Sequence, residues 1–292
     1  MMQGLVWLDE TENIDFSLFK NYKNALYNYF DNNINLVKNI NDLSNFKTLF
    51  VVDEHYYPHR EFIFTKEFIE NVDKFRIKIV IFNTEKIFRQ PFKHNLNIQK
   101  SLSKFENKVQ ILSDAYDIKK LGSPFVNKQL LSKEFKFNIS NSFKKEELLF
   151  LGQIDGRAYE NRRRILKKIE NYINVPLKIE NSKRKLNYKN FLEKINEYKF
   201  ILNPLGNGGS EFLNVRYYET LFLNSIPVQQ ITKRMLNNYE ELNSSLSLNF
   251  QKLNQLKKID FKNINSLNQL NDLKSPYLED YLYEVRFKEK IK

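Results

Sequence analysis

The chain has 292 residues, of which 41% are hydrophobic and 14% aromatic, and it contains no cysteine. This composition excludes global disorder, and the lack of thiols excludes disulfides, zinc–thiolate sites, iron–sulfur clusters and cysteine nucleophiles. Because no basic segment leads into an apolar one in the first residues, and no apolar run approaches the length of a membrane span, we expect a soluble, cytoplasmic protein.

The formal charge is +12, from 47 basic and 35 acidic residues, and it is unevenly distributed. Residues 151–200 carry 13 basic and 6 acidic side chains, whereas residues 1–150 carry 22 and 19. A local concentration of positive charge indicates an anionic ligand in the second half of the chain rather than a uniformly basic surface.

The first half of the chain alternates strand-like and helix-like segments. Apolar, β-branched runs at residues 48–52 and 77–82 predict two strands, and a weaker run at 109–112 predicts a third. The segment between the first two runs has apolar residues at helical spacing. Repetition of strand, helix and strand predicts a parallel sheet covered by helices.

The same alternation starts again in the second half. Predicted strands cover residues 147–152, 175–179, 200–203 and a run from 226, and predicted helices cover 161–172, 188–197 and about 211–224. We therefore expect two Rossmann-like α/β domains, residues 1–140 and 141–260. Residues 250–275 are predicted to be helical, and the last segment, 261–292, carries an amphipathic helix that packs back on the body of the protein.

A glycine-rich stretch follows the predicted strand at 200–203. Pro204 stops that strand, and Gly206, Gly208 and Gly209 precede Ser210, which is a predicted helix N-cap. The free N–H groups and the positive end of such a helix suit an anion such as a diphosphate, and glycines let the backbone approach it closely. Two acids on this predicted helix, Glu211 and Glu219, are eight residues apart and so lie about two turns apart. Arg216 lies between them.

Residues 200–228 resemble the E-x7-E region of GT-B glycosyltransferases, in particular the exostosin-like and spore-maturation-type bacterial enzymes. Residues 150–162 are similar to the first strand and loop on the donor side of the same enzymes. The chain departs from the family at Asn224, where glycine is usual, and in being shorter than most members. The residues that carry the resemblance are Gly152, Arg157, Arg162, Asn203, Pro204, Gly208, Gly209, Ser210, Arg216, Glu219 and the run Ile226-Pro227-Val228.

The resemblance implies a role for each of these positions. The second domain would bind a nucleotide-diphosphate sugar as donor substrate, and the last helix would return to the N-terminal domain. Glu219 would accept hydrogen bonds from the donor ribose, and Glu211 would face the sugar as a catalytic residue. Arg157 and Arg216 would neutralise the leaving diphosphate, which implies no metal and no further cofactor. The remaining donor-binding positions would be Gly152, Arg162, Asn203, Pro204, Gly208, Gly209 and Ser210.

A polar segment follows the strand at 48–52, at the edge of the sheet where open α/β sheets bind ligands. Asp53 and His55 are candidates for the base that removes a proton from a glycosyl acceptor, and Glu54, His59 and Arg60 are candidates for acceptor binding. A polar loop with a capping Asp53 explains the same residues equally well. Pro58 argues against a metal site formed by His55 and His59.

Several alternatives stay open on the sequence alone. On spacing alone, the two acids of the E-x7-E region are better explained as ordinary residues on a helix surface. The acceptor is a glycan, a lipid-linked molecule or a nucleic acid, and peripheral membrane contact is left open. The E-x7-E spacing favours retention of the anomeric configuration only slightly. A DNA-modifying base glycosyltransferase or nucleic-acid-binding protein that uses the basic second half is one alternative. A non-catalytic sugar-nucleotide binder is the other.

Overall fold

A computed structural model describes residues 2–7, 26, 30, 33–37, 40–53, 66–83, 109–112, 143–156, 159–181, 188–205, 213, 215–243 and 246–264. The described residues belong to two compact units. Residues up to 112 lie in one, called the N-terminal unit, and residues from 143 lie in the other, called the C-terminal unit. Each unit contains a five-stranded sheet.

The N-terminal unit is built on a parallel sheet in the order β2-β1-β3-β4-β5. Its helix α1 packs through Phe68 and Val72, which are four residues apart, lie on one face and are fully buried. The elements are β1 (Met2–Trp7), β2 (Ile34–Leu36), a 3-10 helix (Ile40–Asn45), β3 (Phe46–Asp53), α1 (Lys66–Lys74), β4 (Lys78–Asn83) and β5 (Val109–Leu112).

The C-terminal unit repeats this arrangement in the order β10-β9-β8-β6-β7, again with parallel neighbours. Its strands are β6 (Lys145–Gly152), β7 (Leu177–Asn181), β8 (Tyr198–Asn203), β9 (Ile226–Gln230) and β10 (Leu248–Phe250). Its helices are α2 (Glu160–Leu166), α3 (Tyr188–Asn196), α4 (Val215–Phe222) and α5 (Lys233–Asn238), with 3-10 turns at Ile169–Tyr172, Glu240–Asn243, Leu253–Lys258 and Phe261–Asn263.

The sheet of the C-terminal unit is buried on both faces, because side chains alternate along each strand. Leu148 and Phe150 of β6 belong to the core cluster that includes Ile165 and Leu166 of α2. Leu149 and Leu151 belong to the cluster on the other face, which contains residues of α3 and is covered in part by Phe222 of α4. Helix α2 and helices α3 and α4 therefore cover opposite faces.

Both sheets have the strand order 2-1-3-4-5 when the strands are counted within each unit. The order reverses between the first and third strands, and open sheets of this kind bind ligands outside the carboxyl ends of those strands. In the C-terminal unit these strands are β6 and β8, whose pairing extends to Leu149 and Ile201. The end of the sheet at which β6 finishes at Gly152 and β8 finishes at Asn203 is called the carboxyl edge. A ligand site is expected there.

Helices α1 and α4 end in the same way, with a residue in the left-handed region. Asn224 has φ +54° and Arg76 has φ +52°. After α4, the N–H of Ser225 donates to the carbonyl of Thr220, and that of Asn224 donates to Leu221. These are the two hydrogen bonds of a Schellman motif, and α1 has the equivalent pair around Arg76. The motif explains why glycine is usual at the position of Asn224.

The α/β class with parallel sheets agrees with the sequence expectation, but several boundaries do not. Helix α4 begins at Val215, later than the predicted start near residue 211, and Leu213 lies outside the helix. Strands β1, β2 and β10 were not predicted. Residues 250–264, expected to be helical, form short 3-10 turns, and Phe261 packs in the core of the C-terminal unit. Residues 265–292, which contain the predicted terminal helix, lie outside the described residues.

Candidate functional site

Arg216 lies at the carboxyl edge and is held on three sides. Its Nη1 donates to the carbonyl oxygen of Leu151, two residues beyond the last pairing of β6 with β8, at 3.1 Å. Its Nε lies 3.0 Å from Oε2 of Glu219. The face of its guanidinium covers the ring of Phe191, with Cζ 3.8 Å from the ring centroid. These contacts fix the plane of the guanidinium group.

Glu219 lies one turn further along α4, and its side chain is only 2% exposed. Spacing of three residues places it on the same helix face as Arg216, which allows their ion pair. A buried carboxylate is costly unless it is paired with a cation, so the contact with Arg216 explains how the fold tolerates this acid.

Arg162 reaches the same end of β6 from α2, on the opposite face of the sheet. Its Nη1 donates to the carbonyl oxygen of Gln153 at 3.2 Å, and its Cζ lies 4.8 Å from the ring centroid of Tyr159. Its Nε is buried and has no hydrogen-bond partner among the described residues. Burial lowers the pKa of Arg162, Tyr159 acts in the opposite direction, and the charge of Arg216 lowers that pKa further. Two guanidinium groups thus meet beside one strand end.

The other arginines of α2 point elsewhere, as consecutive residues on a helix must. Arg163 donates through Nη1 to the carbonyl oxygens of Ile154 and Gly156, each at 2.6 Å, and so fixes the loop after β6. Gly156 has φ +95°, a conformation that favours glycine. Arg164 donates to Oδ1 of Asn161 at 3.0 Å and is exposed. The charge of Arg216 acts on Arg162, the first of the three.

The loop after β8 is anchored at its start. Asn203 and Gln229 are both buried, and they pair through their side-chain amides across β8 and β9. The N–H of Leu205 donates to Oε1 of Gln230 at 3.0 Å, and Nδ2 of Asn161 donates to the carbonyl oxygen of Leu205 at 2.9 Å. Gln230 and Asn161 therefore hold the backbone at Leu205, just before the glycine-rich stretch.

Asn181, at the end of β7, contributes a second buried polar atom that finds no hydrogen-bond partner in the part of the chain that the structure describes. Its Nδ2 donates to Oδ2 of Asp155 at 2.8 Å, which leaves Oδ1 as the buried acceptor. Strand pairing places Asn181 opposite Gly152, next to the loop that Arg162 contacts. Unsatisfied buried polar atoms are rare, so a donor here and an acceptor there are consistent with a polar ligand at this edge.

The structure brings together six of the predicted donor-binding residues at the carboxyl edge: Gly152, Arg162, Asn203, Pro204, Arg216 and Glu219. Asp53 is the last residue of β3 in the N-terminal unit. The roles given to all of these residues stay predictions. The other predicted site residues, Glu54, His55, His59, Arg60, Arg157, Gly208, Gly209, Ser210 and Glu211, lie outside the described residues.

Sequence reasoning missed the residues that support Arg216 and the loop after β8. Phe191 contacts Arg216 across 25 positions, and Asn161 contacts Leu205 across 44. Nothing in either local pattern marks such long-range contacts, because Phe191 is also an ordinary apolar residue of an amphipathic helix. The Phe191 contact depends on how α3 and α4 pack together, and the Asn161 contact depends on β6 and β8 lying side by side.

Within the residues that the structure describes, no group of three or more His, Asp and Glu side chains is arranged to hold a metal ion. No helix in the described part of the chain is long and apolar enough to cross a bilayer.

Known proteins resemble this chain in structure rather than in sequence. No family model matches it, and no curated protein does. An α1,3-fucosyltransferase crystallised with GDP-fucose is similar to it at a TM-score of 0.50 and 15% identity, over 99% of this chain and 89% of that one. A UDP co-structure of MnaA from S. aureus aligns at a TM-score of 0.49 and 13% identity, over 100% and 98%. The likeness to the fucosyltransferase confirms the predicted fold class, α/β with Rossmann-like sheets of the GT-B type.

Proposed function

We propose that this chain is a GT-B glycosyltransferase and that its C-terminal unit binds the diphosphate of a nucleotide-sugar donor at the carboxyl edge. The observation that carries the proposal is the meeting of Arg162 and Arg216 beside the end of β6, at the point where the strand order reverses. The solved structure of the fucosyltransferase with GDP-fucose supports a nucleotide sugar as the ligand class.

A diphosphate suits this pair of arginines for electrostatic reasons. Two cations close together repel each other, and the charge of Arg216 already lowers the pKa of Arg162. An anion between them would offset that repulsion and would accept a hydrogen bond from the buried Nε of Arg162. Guanidinium groups bind phosphate oxygens in a planar, two-pronged geometry that fixes orientation as well as charge.

The same groups would assist the chemistry. In the transfer, the bond between the anomeric carbon and the diphosphate oxygen breaks, the acceptor oxygen bonds to that carbon, and a base takes the hydroxyl proton. Negative charge grows on the departing diphosphate, where fixed cations stabilise the transition state. The proposal therefore includes activity without a metal ion. It keeps Asp53 and His55 as the candidate bases, with the donor as the only small molecule needed besides the acceptor.

Binding is tested with a panel of UDP, GDP, ADP and CMP sugars and the free nucleotides, followed by titration of the best ligand. Arg162→Met should weaken binding of the nucleoside diphosphate about ten- to a hundredfold, because a hydrogen bond to a charged group is worth roughly 1.5–3 kcal/mol. Arg164→Met is the matched control, since Arg164 lies on the same helix but faces outward, and it should bind like the parent. Equal affinities in both variants would reject the site.

Turnover separates an enzyme from a non-catalytic binder. Release of the nucleoside diphosphate from a bound donor, by transfer or by slow hydrolysis, is expected in the parent and should be reduced in Arg162→Met. If a donor binds tightly but is never cleaved, with glycan, lipid-linked and nucleic-acid acceptors all supplied, the protein is a non-catalytic binder. The proposed transferase activity is then rejected.

A further inference from the structure

We propose that one side of the C-terminal unit is a docking surface for an anionic lipid bilayer. This surface, called the basic face, is formed by the end of α2 and by the 3-10 turns that follow α2 and β10. Its cations are all exposed: Arg164, Lys167, Lys168, Lys252, Lys257, Lys258 and Lys262. The proposal goes beyond the donor site and does not depend on it, because it names a different partner and a different surface.

The two chain segments of the basic face lie side by side on one layer of the core. The 3-10 turn after α2 contacts the first 3-10 turn after β10. Nζ of Lys257 lies 5.3 Å from the ring centroid of Tyr172, and Nδ2 of Asn174 donates to Oδ1 of Asp260 at 3.1 Å. Both segments also pack against the core cluster that α2 covers, through residues that include Phe261. The exposed cations therefore lie on one continuous side of the unit.

The cations of the basic face are not neutralised by neighbouring acids. Residues 164–174 and 252–264 contain only two acids, Glu170 and Asp260, and both carboxylate oxygens of Asp260 accept hydrogen bonds from asparagine side chains. Among the described residues, no ion pair joins any of the seven cations to an acid.

Lysines elsewhere in the same unit are treated differently. Four of them each form an ion pair with a glutamate: Lys145, Lys189, Lys194 and Lys199. A lysine-rich composition alone does not explain why acids accompany these lysines and not those of the basic face. Unpaired charges of one sign repel each other, and an anionic surface placed against them would offset that repulsion.

The chemistry of the basic face favours a bilayer over a nucleic acid. Six of the seven cations are lysines, whose ammonium groups act as point charges and need no fixed geometry, as suits mobile headgroups. The described side chains of this face offer no exposed aromatic ring for a base to stack on, since Tyr172 is half-buried and Phe261 is buried. Clusters of about four to eight basic residues are typical of segments that bind anionic headgroups.

The test is sedimentation of the full chain, without nucleotide, with vesicles of phosphatidylcholine alone or mixed with an equal part of phosphatidylglycerol. The parent should bind only the mixed vesicles and should be released as salt rises, because exposed charges are screened. Lys257→Gln/Lys258→Gln should lower the partition coefficient about 25-fold, at roughly fivefold for each lysine near the surface.

The matched control is Lys189→Gln/Lys194→Gln, which removes the same net charge from α3, on the opposite face of the sheet. It should partition within about twofold of the parent, because charges farther than a Debye length from the bilayer are screened. Circular dichroism and thermal melts report whether each variant is folded. If Lys257→Gln/Lys258→Gln is not, Lys167→Gln/Lys168→Gln takes its place with the same expected loss.

Three results would overturn the proposal. The first is a parent that sediments with neither kind of vesicle, or equally with both. The second is an equal loss in the variants of the basic face and of α3, which would mean that total charge attracts the vesicles. The third is release of the bound parent by duplex DNA at equal phosphate concentration, which would assign the face to a nucleic acid. Each of these outcomes leaves the donor site to its own nucleotide titrations, so the two proposals fail separately.

Discussion

Each end of the sheet in the C-terminal unit holds a partly buried cation, but the hydrogen bonds of the two cations differ. At the amino end, Nζ of Lys144 lies within 2.8–2.9 Å of four oxygens from the ends of α3 and α4 and from Ser225. At the carboxyl edge, Arg162 lies near a second guanidinium, and no described residue accepts a hydrogen bond from its buried Nε.

The contrast shows which property separates a structural cation from a binding one. Burial lowers the pKa of both groups, to about 8 for Lys144, so a shifted pKa marks both ends of the sheet equally. The hydrogen bonds differ. Lys144 finds its acceptors inside the protein, at helix ends whose carbonyls need a donor, whereas Arg162 keeps a donor for something else. Four variants and conditions would break or sharpen this contrast.

The largest effect is expected for Lys144→Met. It removes the donor from two helix-end carbonyls and from Oδ1 of Asn196 and Oγ of Ser225, and the free energy of unfolding should fall by about 2–3 kcal/mol. Affinity for the nucleotide should not change, because Lys144 lies at the end of the sheet opposite the site. Denaturant midpoints and calorimetry measure the two quantities. If Lys144→Met lowered the affinity for the nucleotide and left the stability unchanged, Lys144 would not be a structural cation.

At the carboxyl edge, Arg216→Lys keeps the charge but loses the planar fork and the fit against Phe191. Diphosphate binding should weaken about tenfold, while the melting temperature changes little. Arg234→Lys, at an exposed position of α5, is the control and should behave as the parent. If lysine at position 216 binds as well as arginine, charge alone explains the site and its fixed geometry is irrelevant.

The helix ends provide a smaller effect. Arg76 and Asn224 both have a positive φ, which costs most residues about 1–2 kcal/mol and glycine almost nothing. Arg76→Gly should raise the free energy of unfolding by about 0.5–1 kcal/mol after the greater freedom of glycine in the unfolded chain is counted. Asn224→Gly should gain less, because asparagine tolerates this region better than arginine. Destabilisation by both glycines would show that the left-handed conformation is not what these positions need.

The last effect is a pH dependence from Lys144. Its pKa is about 8 in the fold and near 10.5 in the unfolded chain, so between these values the unfolded state binds more protons. Stability should therefore rise with pH across this interval relative to Lys144→Met, and the difference should be constant below pH 7. Denaturant unfolding of both proteins from pH 7 to 10.5 measures it. A difference that falls with rising pH would mean that the fold favours the charged form of this lysine.

Strand patterns in the sequence predicted most of the fold. Strands β3, β4, β6, β8 and β9 are continuous apolar runs, the pattern of parallel strands buried on both faces. Strand β1 was not predicted because glycine and glutamine interrupt its apolar pattern. Strands β2 and β10 were not predicted because each has only three residues. The start of α4 was placed four residues too early, because Ser210 and Glu211 are as good a helix-start signal as any residue after them.

The candidate site was accessible to sequence reasoning only in part. Arg162 and Arg216 were indicated because they match positions of the GT-B enzymes that the sequence resembles. The sheet order explains why two residues so far apart in the sequence lie near one strand end. The ion pair of Glu219 was also open to a spacing argument, since three residues separate it from Arg216. The support from Phe191 was not, because it depends on how α3 and α4 pack together.

The most direct test of the central claim is a crystal structure of the full chain soaked with the nucleoside diphosphate that binds best. The account predicts its phosphate oxygens within hydrogen-bond distance of Nε of Arg162 and of the guanidinium of Arg216, at the carboxyl edge of β6. A nucleotide found only against residues 50–90 of the N-terminal unit, with no phosphate oxygen in contact with either arginine, would contradict this account.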